Sequence, residues 1–179
     1  EYINNTYVLE AAEKEGVKIF NKPSSLRSFN EKISILEFSK FCTETIVTSD
    51  KKIILKFINK YKEVVSKPLN LMGGQGIEKL NLDQDDLAER LTKSTKNFTE
   101  KIMVQKFIEK VYEGDKRILI INGEPSEYAV VRTPAQGEFR GNLAVGGKAS
   151  IEKLTQLEFN IASSIAPKLI ERGILIAGI

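Results

Sequence analysis

Arg117-Ile118-Leu119-Ile120-Ile121-Asn122-Gly123-Glu124-Pro125-Ser126-Glu127-Tyr128-Ala129-Val130-Val131-Arg132 reads as a strand, a tight turn and a returning strand. Residues 117–121 are largely β-branched and apolar, and 127–132 resume the extended pattern. Asn122-Gly123 between them is the pair that tolerates positive φ at both turn positions, the strongest short-range hairpin signal. The sheet is therefore antiparallel here. Upstream, Asp50 precedes Ile53, Ile54, Phe57 and Ile58 and is expected to cap a helix to about residue 60. Further helices are expected over 6–15, stopped by Gly16, and over 26–40 and 83–96, the last polar and at the surface. Strands are expected over 17–20, 44–48, 63–67 (ended by Pro68), 77–80 and 101–108. Downstream come a helix over 155–172, which Pro167 should kink, and a last strand at 174–179. Strand–helix–strand units joined to an antiparallel hairpin make the fold class α+β, with mixed α/β order.

The hairpin delivers the chain into Arg132-Thr133-Pro134-Ala135-Gln136-Gly137-Glu138-Phe139-Arg140-Gly141-Asn142-Leu143-Ala144-Val145-Gly146-Gly147-Lys148. Four of the 12 glycines fall between 137 and 147, with Arg132, Arg140 and Lys148 at or near the ends. Glycine opens the backbone to close approach by a ligand, and arginine offers a planar fork of donors to carboxylates and phosphates. The stretch fits a lid over an anionic substrate and equally a surface loop with solvated charges.

A second glycine cluster follows the strand at 63–67. Lys67 ends that strand and Gly73, Gly74, Gln75 and Gly76 form a turn. Such a turn can present N–H groups to an anion, with the lysine as a point charge. A Walker loop is absent: Gly141 and Gly146 have its spacing, but Gly147 and Ala149 stand at its lysine and hydroxyl positions. A plain turn between strands is the competing reading. Asp115, entering the hairpin beside Gly114, could hold ribose hydroxyls or serve as a turn residue.

Composition narrows the classes. With 179 residues, 41% hydrophobic and 28% charged, the chain can bury a core as one domain or two small ones. Net charge is +3 without a block of five like charges, which argues against a nucleic-acid partner. There is no histidine, so Ser–His and Cys–His chemistry and most zinc sites are excluded. Cys42 is the one cysteine, so no internal disulfide forms, and a reducing, cytoplasmic setting fits. It is read as a packing residue. No apolar run reaches the ~20 residues of a membrane span.

Three motifs in order carry a resemblance: K-P-L-N-L-M-G-G-Q-G at 67–76, E-G-D-K-R-I-L-I-I-N-G-E-P at 113–125, and R-x-P-x-x-G-E-x-R-G-N-L-A-x-G-G-K at 132–148. Together they resemble the bacterial glutathione synthetases, a family of ATP-grasp ligases, and the likeness runs from Asn30-Glu31-Lys32 to the last strand. The first two motifs recur across ATP-grasp enzymes, and the third in several relatives, including peptide-type ligases.

The resemblance implies two α+β subdomains, 44–105 and 106–179, holding ATP, after a region 1–43 that is linker or remnant of an N-terminal domain. It implies that Lys32 and Lys67 contact the nucleotide and that Gly73, Gly74, Gln75 and Gly76 close over its phosphates. Backbone groups of Gln105, Lys106 and Phe107 would read adenine, and Asp115 the ribose. Arg117, Arg132 and Arg140 would meet the substrate carboxylate and the transferring phosphoryl group. Gly141, Asn142, Gly146, Gly147 and Lys148 would belong to the lid, with Lys148 where the family leads one to expect arginine. The implied partners are γ-glutamylcysteine and glycine, in a full-length protein that is a homo-oligomer. Magnesium would be held by an acid after the last strand, then an acid and an asparagine further on. No metal ligand is thus expected among these 179 residues, and the chain by itself is expected to be inactive. Another ATP-grasp carboxylate–amine ligase and a non-catalytic nucleotide-binding module are the alternative readings.

Overall fold

The computed structural model describes residues 2–143 and 146–179. The chain divides into two compact units, Glu31–Tyr112 and Glu1–Asn30 together with Glu113–Ile179.

In the unit Glu31–Tyr112, β1 (Thr45–Thr48), β2 (Val64–Pro68), β3 (Glu78–Leu80) and β4 (Ile102–Lys106) form an antiparallel sheet in the order β1-β4-β2-β3. The helix begun at Asp50 is α3 (Lys51–Tyr61); the Asp50 carboxylate accepts from the N–H groups of Lys52 and Ile53, satisfying two orphan donors of the first turn. Its spacing buries Ile54 and Ile58 one turn apart, and they meet Val64, Leu80, Ile102 and Val104 of the sheet.

The helix expected over 83–96 is shorter, α4 (Leu87–Ser94), and it is not merely a surface element: Leu87 and Leu91 enter the same core. Asp83, Asp85 and Asp86 masked that two-leucine stripe in the sequence. The helix expected over 26–40 is broken. It ends as α2 (Pro23–Ser28), and a kinked 3-10 segment spans Ile33–Phe41. Ser28-Phe29-Asn30 and the β-branched Ile33 and Ile35 are weak helix formers, so no continuous helix bridges them.

In the second unit the hairpin is present as β5 (Asp115–Ile121) and β6 (Glu124–Thr133), with Asn122 at φ 50° and Gly123 at φ 82°. A strand not anticipated from the sequence, β7 (Lys148–Lys153), pairs with β6, and β8 (Ile176–Gly178) pairs with β5, giving the order β7-β6-β5-β8. All six residues of β7 are exposed, so it lacks the buried alternation that marks a strand.

The last helix, α5 (Gln156–Glu171), starts at a capping box between Thr155 and Glu158 and runs through Pro167 without a break. It places Ala162, Ile165, Ala166 and Leu169 toward the buried Ile118, Ile120, Ala129 and Val131. No strand forms at 17–20. The chain leaves α1 (Tyr2–Lys14) and attaches to the end of the molecule instead. The Asn21 side chain donates to Ile176 O and accepts from Ile176 N, both at 2.7 Å, and Lys22 N donates to Gly173 O.

Candidate functional site

Strand alternation leaves one face of the second sheet bare. Leu119, Ile121, Tyr128, Val130, Ile151 and Ile176 are each 40% exposed or more, whereas Ile118, Ile120, Ala129 and Val131, which alternate with them along β5 and β6, are buried against α5. An exposed apolar face of this kind marks an interaction or ligand surface.

Charge collects at one end of that face. Asp115 and Arg132 stand opposite each other in the β5–β6 register, and Arg132 grips the carboxylate with two parallel bonds, Nε–Oδ1 2.8 Å and Nη2–Oδ2 2.7 Å. Gly141 is pressed against this pair: a Cβ there would lie 2.7 Å from Arg132 O and 3.1 Å from Asp115 Oδ1. Gly147 then folds back on Gly141, with its N–H donating to Asn142 O at 3.3 Å and room for no Cβ beside Gly141 O. The base of the 133–148 loop is thus seated on the Asp115–Arg132 pair by two glycines. Ala144 and Val145, part of that loop, lie outside the described residues.

Within the loop, Glu138 Oε2 accepts from Arg140 at 2.5 Å while Oε1 accepts from the N–H groups of Phe139 and Arg140. The Arg140 bond, with those N–H bonds in support, lowers the Glu138 carboxyl from 4.5 to about 2 and raises Arg140 in turn. Lys148 opens β7 opposite Thr133 and is exposed. Arg117 differs from the other two arginines. It is exposed, its guanidinium lies over Gly178, and among the described residues no hydrogen bond or ion pair engages it.

The remaining expected site residues belong to the unit Glu31–Tyr112. Lys67 Nζ donates to Gln105 Oε1 at 2.6 Å, and Gln105 Nε2 donates to Thr45 Oγ1 at 2.9 Å, a chain running across three strands. The N–H groups of Lys106 and Phe107 donate to Glu44 O and Glu63 O, both at 3.0 Å. Lys32 Nζ bonds Leu71 O at the foot of the glycine loop and Glu31 Oε1 at 2.7 Å. Gly73, Gly74 and Gly76 have φ of 66°, 83° and 66°, and Gly76 also packs where a Cβ would be 2.8 Å from Pro68 Cγ. That conformation favours glycine at the three positions, and at Gly76 the close approach of Pro68 adds to it.

Cys42 is half-buried, with Sγ 3.5 Å from the carbonyls of Ile35 and Phe38. Burial pushes its thiol up, against the pull of Lys67, which keeps it a packing group. Among the described residues no three Asp, Glu, Cys or His side chains come together as a metal site.

Thr45 and Glu138 are partners that sequence reasoning passed over. Thr45 has no motif to flag it. Glu138 lies two residues from Arg140, and that acid–base spacing inside a glycine-rich loop was the available signal.

Comparison with known proteins agrees with this architecture. The ATP-grasp domain of prokaryotic glutathione synthetase matches residues 31–179, and the N-terminal domain of the same enzymes matches residues 1–27. The glutathione synthetase of Ralstonia nicotianae is 41% identical over 179 residues, covering 100% of this chain and 55% of the relative. That of Shewanella oneidensis is 43% identical over 179 residues, covering 100% and 57%. The chain thus spans a little over half the length of these curated relatives. Among solved structures, the ATP-grasp ligase PsnB complexed with minimal precursor, Mg and ADP superposes with a TM-score of 0.64 at 14% identity, over 97% of this chain and 52% of that one. A sheet with a bare apolar face, an arginine-bearing glycine loop seated at its end and a second glycine loop behind a strand-terminal lysine are arranged here on an ATP-grasp fold, and the chain belongs to the prokaryotic glutathione synthetase family.

Proposed function

We propose that this chain is the nucleotide-binding part of a glutathione synthetase, which joins γ-glutamylcysteine to glycine at the expense of ATP. The carrying observation is identity of about 40% to glutathione synthetases along all of its 179 residues. A cysteinyl carboxylate oxygen attacks the γ-phosphorus, an oxygen–phosphorus bond forms, and the bond from that phosphorus to the bridging oxygen of ADP breaks. The glycine amine then attacks the acyl carbon and loses a proton, and phosphate leaves. Neither step needs histidine, because phosphoryl transfer rests on positioning and charge stabilisation.

In this reading the glycine loop 73–76 lies over the phosphates, with Lys32 and Lys67 neutralising their charge. Lys67 exchanges its Gln105 amide for a phosphate oxygen, a stronger, charge-assisted bond. Gln105, Lys106 and Phe107 line the adenine edge, and Asp115 the ribose while it remains gripped by Arg132. Arg117, Arg132 and Arg140 stabilise the carboxylate and the transferring phosphoryl group. The loop carrying Gly141, Asn142, Gly146, Gly147 and Lys148 excludes water, which would hydrolyse the acyl phosphate. Magnesium would shield phosphate charge, but the described residues do not make a site for it. The subdomains are taken as 44–105 and 106–179, and the full-length protein as a cytoplasmic homo-oligomer.

The test is ATP-dependent ligation by the full-length protein with a panel of amine acceptors. Glycine is expected to be the preferred acceptor, with one ADP per glutathione. Preference for another amine would replace the assignment with a different ATP-grasp ligase, and ATP binding without turnover of any acceptor would leave a nucleotide-binding module.

A further inference from the structure

Gly178 occupies an unexpected place for a glycine. It lies in β8 between Ala177 and Ile179, paired with Leu119 of β5, and both hydrogen bonds between Ile118 and Ile179 beside it are 2.9 Å. Its φ is not in the positive region, so the backbone there accepts any residue. Glycine weakens a strand, and where neither a turn nor a bulge requires it, it marks close approach by another group. Here that group is the Arg117 guanidinium. A Cβ on Gly178 would lie 2.5 Å from Arg117 Nε, 3.1 Å from Nη2 and 3.2 Å from Cζ. The arginine reaches from β5 across to β8, and its guanidinium lies against the bare Cα.

We propose that Gly178 is a positioning residue for Arg117: the missing side chain makes a seat that holds the guanidinium at the charged end of the open sheet face, aimed at a substrate carboxylate or phosphoryl oxygen. The inference rests on the ligase reading above. Two observations carry it. Arg132 is committed to Asp115 and Arg140 bonds Glu138, whereas Arg117 has no hydrogen-bond or ion-pair partner among the described residues. The contact is with the far end of a long side chain, so an alanine would displace the guanidinium by about 1 Å rather than disturb the strand. A misplacement of about 1 Å at a charge-stabilising group can cost up to ~100-fold in rate.

The experiment is a double-mutant cycle in the full-length protein. Gly178→Ala is expected to lower kcat by ~10- to 100-fold with the unfolding midpoint unchanged or raised. In an Arg117→Ala background the same substitution is expected to change kcat less than about twofold, because the group it displaces is gone. Equal losses in both backgrounds would overturn the proposal, as would full activity of Gly178→Ala. A second readout does not depend on turnover: the Arg117 Nε–H resonance, identified by its loss in Arg117→Ala, is expected to shift in Gly178→Ala. An unmoved resonance sinks the seat even where ligation proceeds. A shifted resonance in a protein that ligates nothing keeps the seat and removes the ligase reading.

Discussion

The two four-stranded sheets share an all-antiparallel build but treat their second faces differently. In the first, β2 and β4 are buried on both sides, and the cation Lys67 is held by Gln105. In the second, α5 covers one face and the other is left open, with Arg117 beside it engaged by no hydrogen bond or ion pair among the described residues. One sheet is a framework that stores its lysine in a hydrogen-bond chain. The other leaves an exposed apolar face with charged side chains at one end.

The contrast breaks most visibly in the cores. Ile58→Ala removes a fully buried side chain at the centre of the first sheet's core and is expected to cost about 2–5 kcal/mol in denaturant unfolding. A loss under 1 kcal/mol would mean that the first sheet is as loosely covered as the second. Asp115→Asn takes the charge from the Arg132 pair, whose carboxylate side chain is 39% exposed, so solvent screening keeps the effect near ~1 kcal/mol, read as about a fivefold fall in kcat/KM. No change there would show that Arg132 needs no partner to hold its place.

Glu138 gives a pH signature of the loop. Its folded value of about 2 lies below 4.5, so the stability it contributes is complete above pH 4.5 and is lost as pH falls toward 2. A carboxyl carbon titrated by NMR should show its midpoint near 2, moving toward 4.5 in Arg140→Ala. A midpoint near 4.5 in the unaltered protein would remove the Glu138–Arg140 pair from the loop. The smallest effect is expected at Ile151, 74% exposed on the open face: Ile151→Thr should change stability by no more than about 0.5 kcal/mol. A larger loss would mean that this face is covered in the folded protein.

Legibility in the sequence followed burial and turn chemistry. The 117–132 hairpin was readable because Asn122-Gly123 specifies its turn, and α3 because Asp50 caps a strong apolar stripe. β7 was not, since a strand exposed at all six positions has no alternation to read. The strand expected at 17–20 failed for the opposite reason: an apolar run favours a strand, but pairing is what makes one, and among the described residues no neighbour offers it. At the site, the glycines and cations were visible as motifs. Their internal partners were not, because Glu138, Gln105 and Thr45 act through distances that spacing alone does not reveal.

The Asn21 amide, doubly bonded to Ile176, closes the outer edge of β8 from 155 residues away in the chain. Closing a loop of that length costs more chain entropy than pairing neighbouring strands, so this contact is expected among the last to form as the unit folds. Until it forms, the edge of β8 stays open to pairing with other strands.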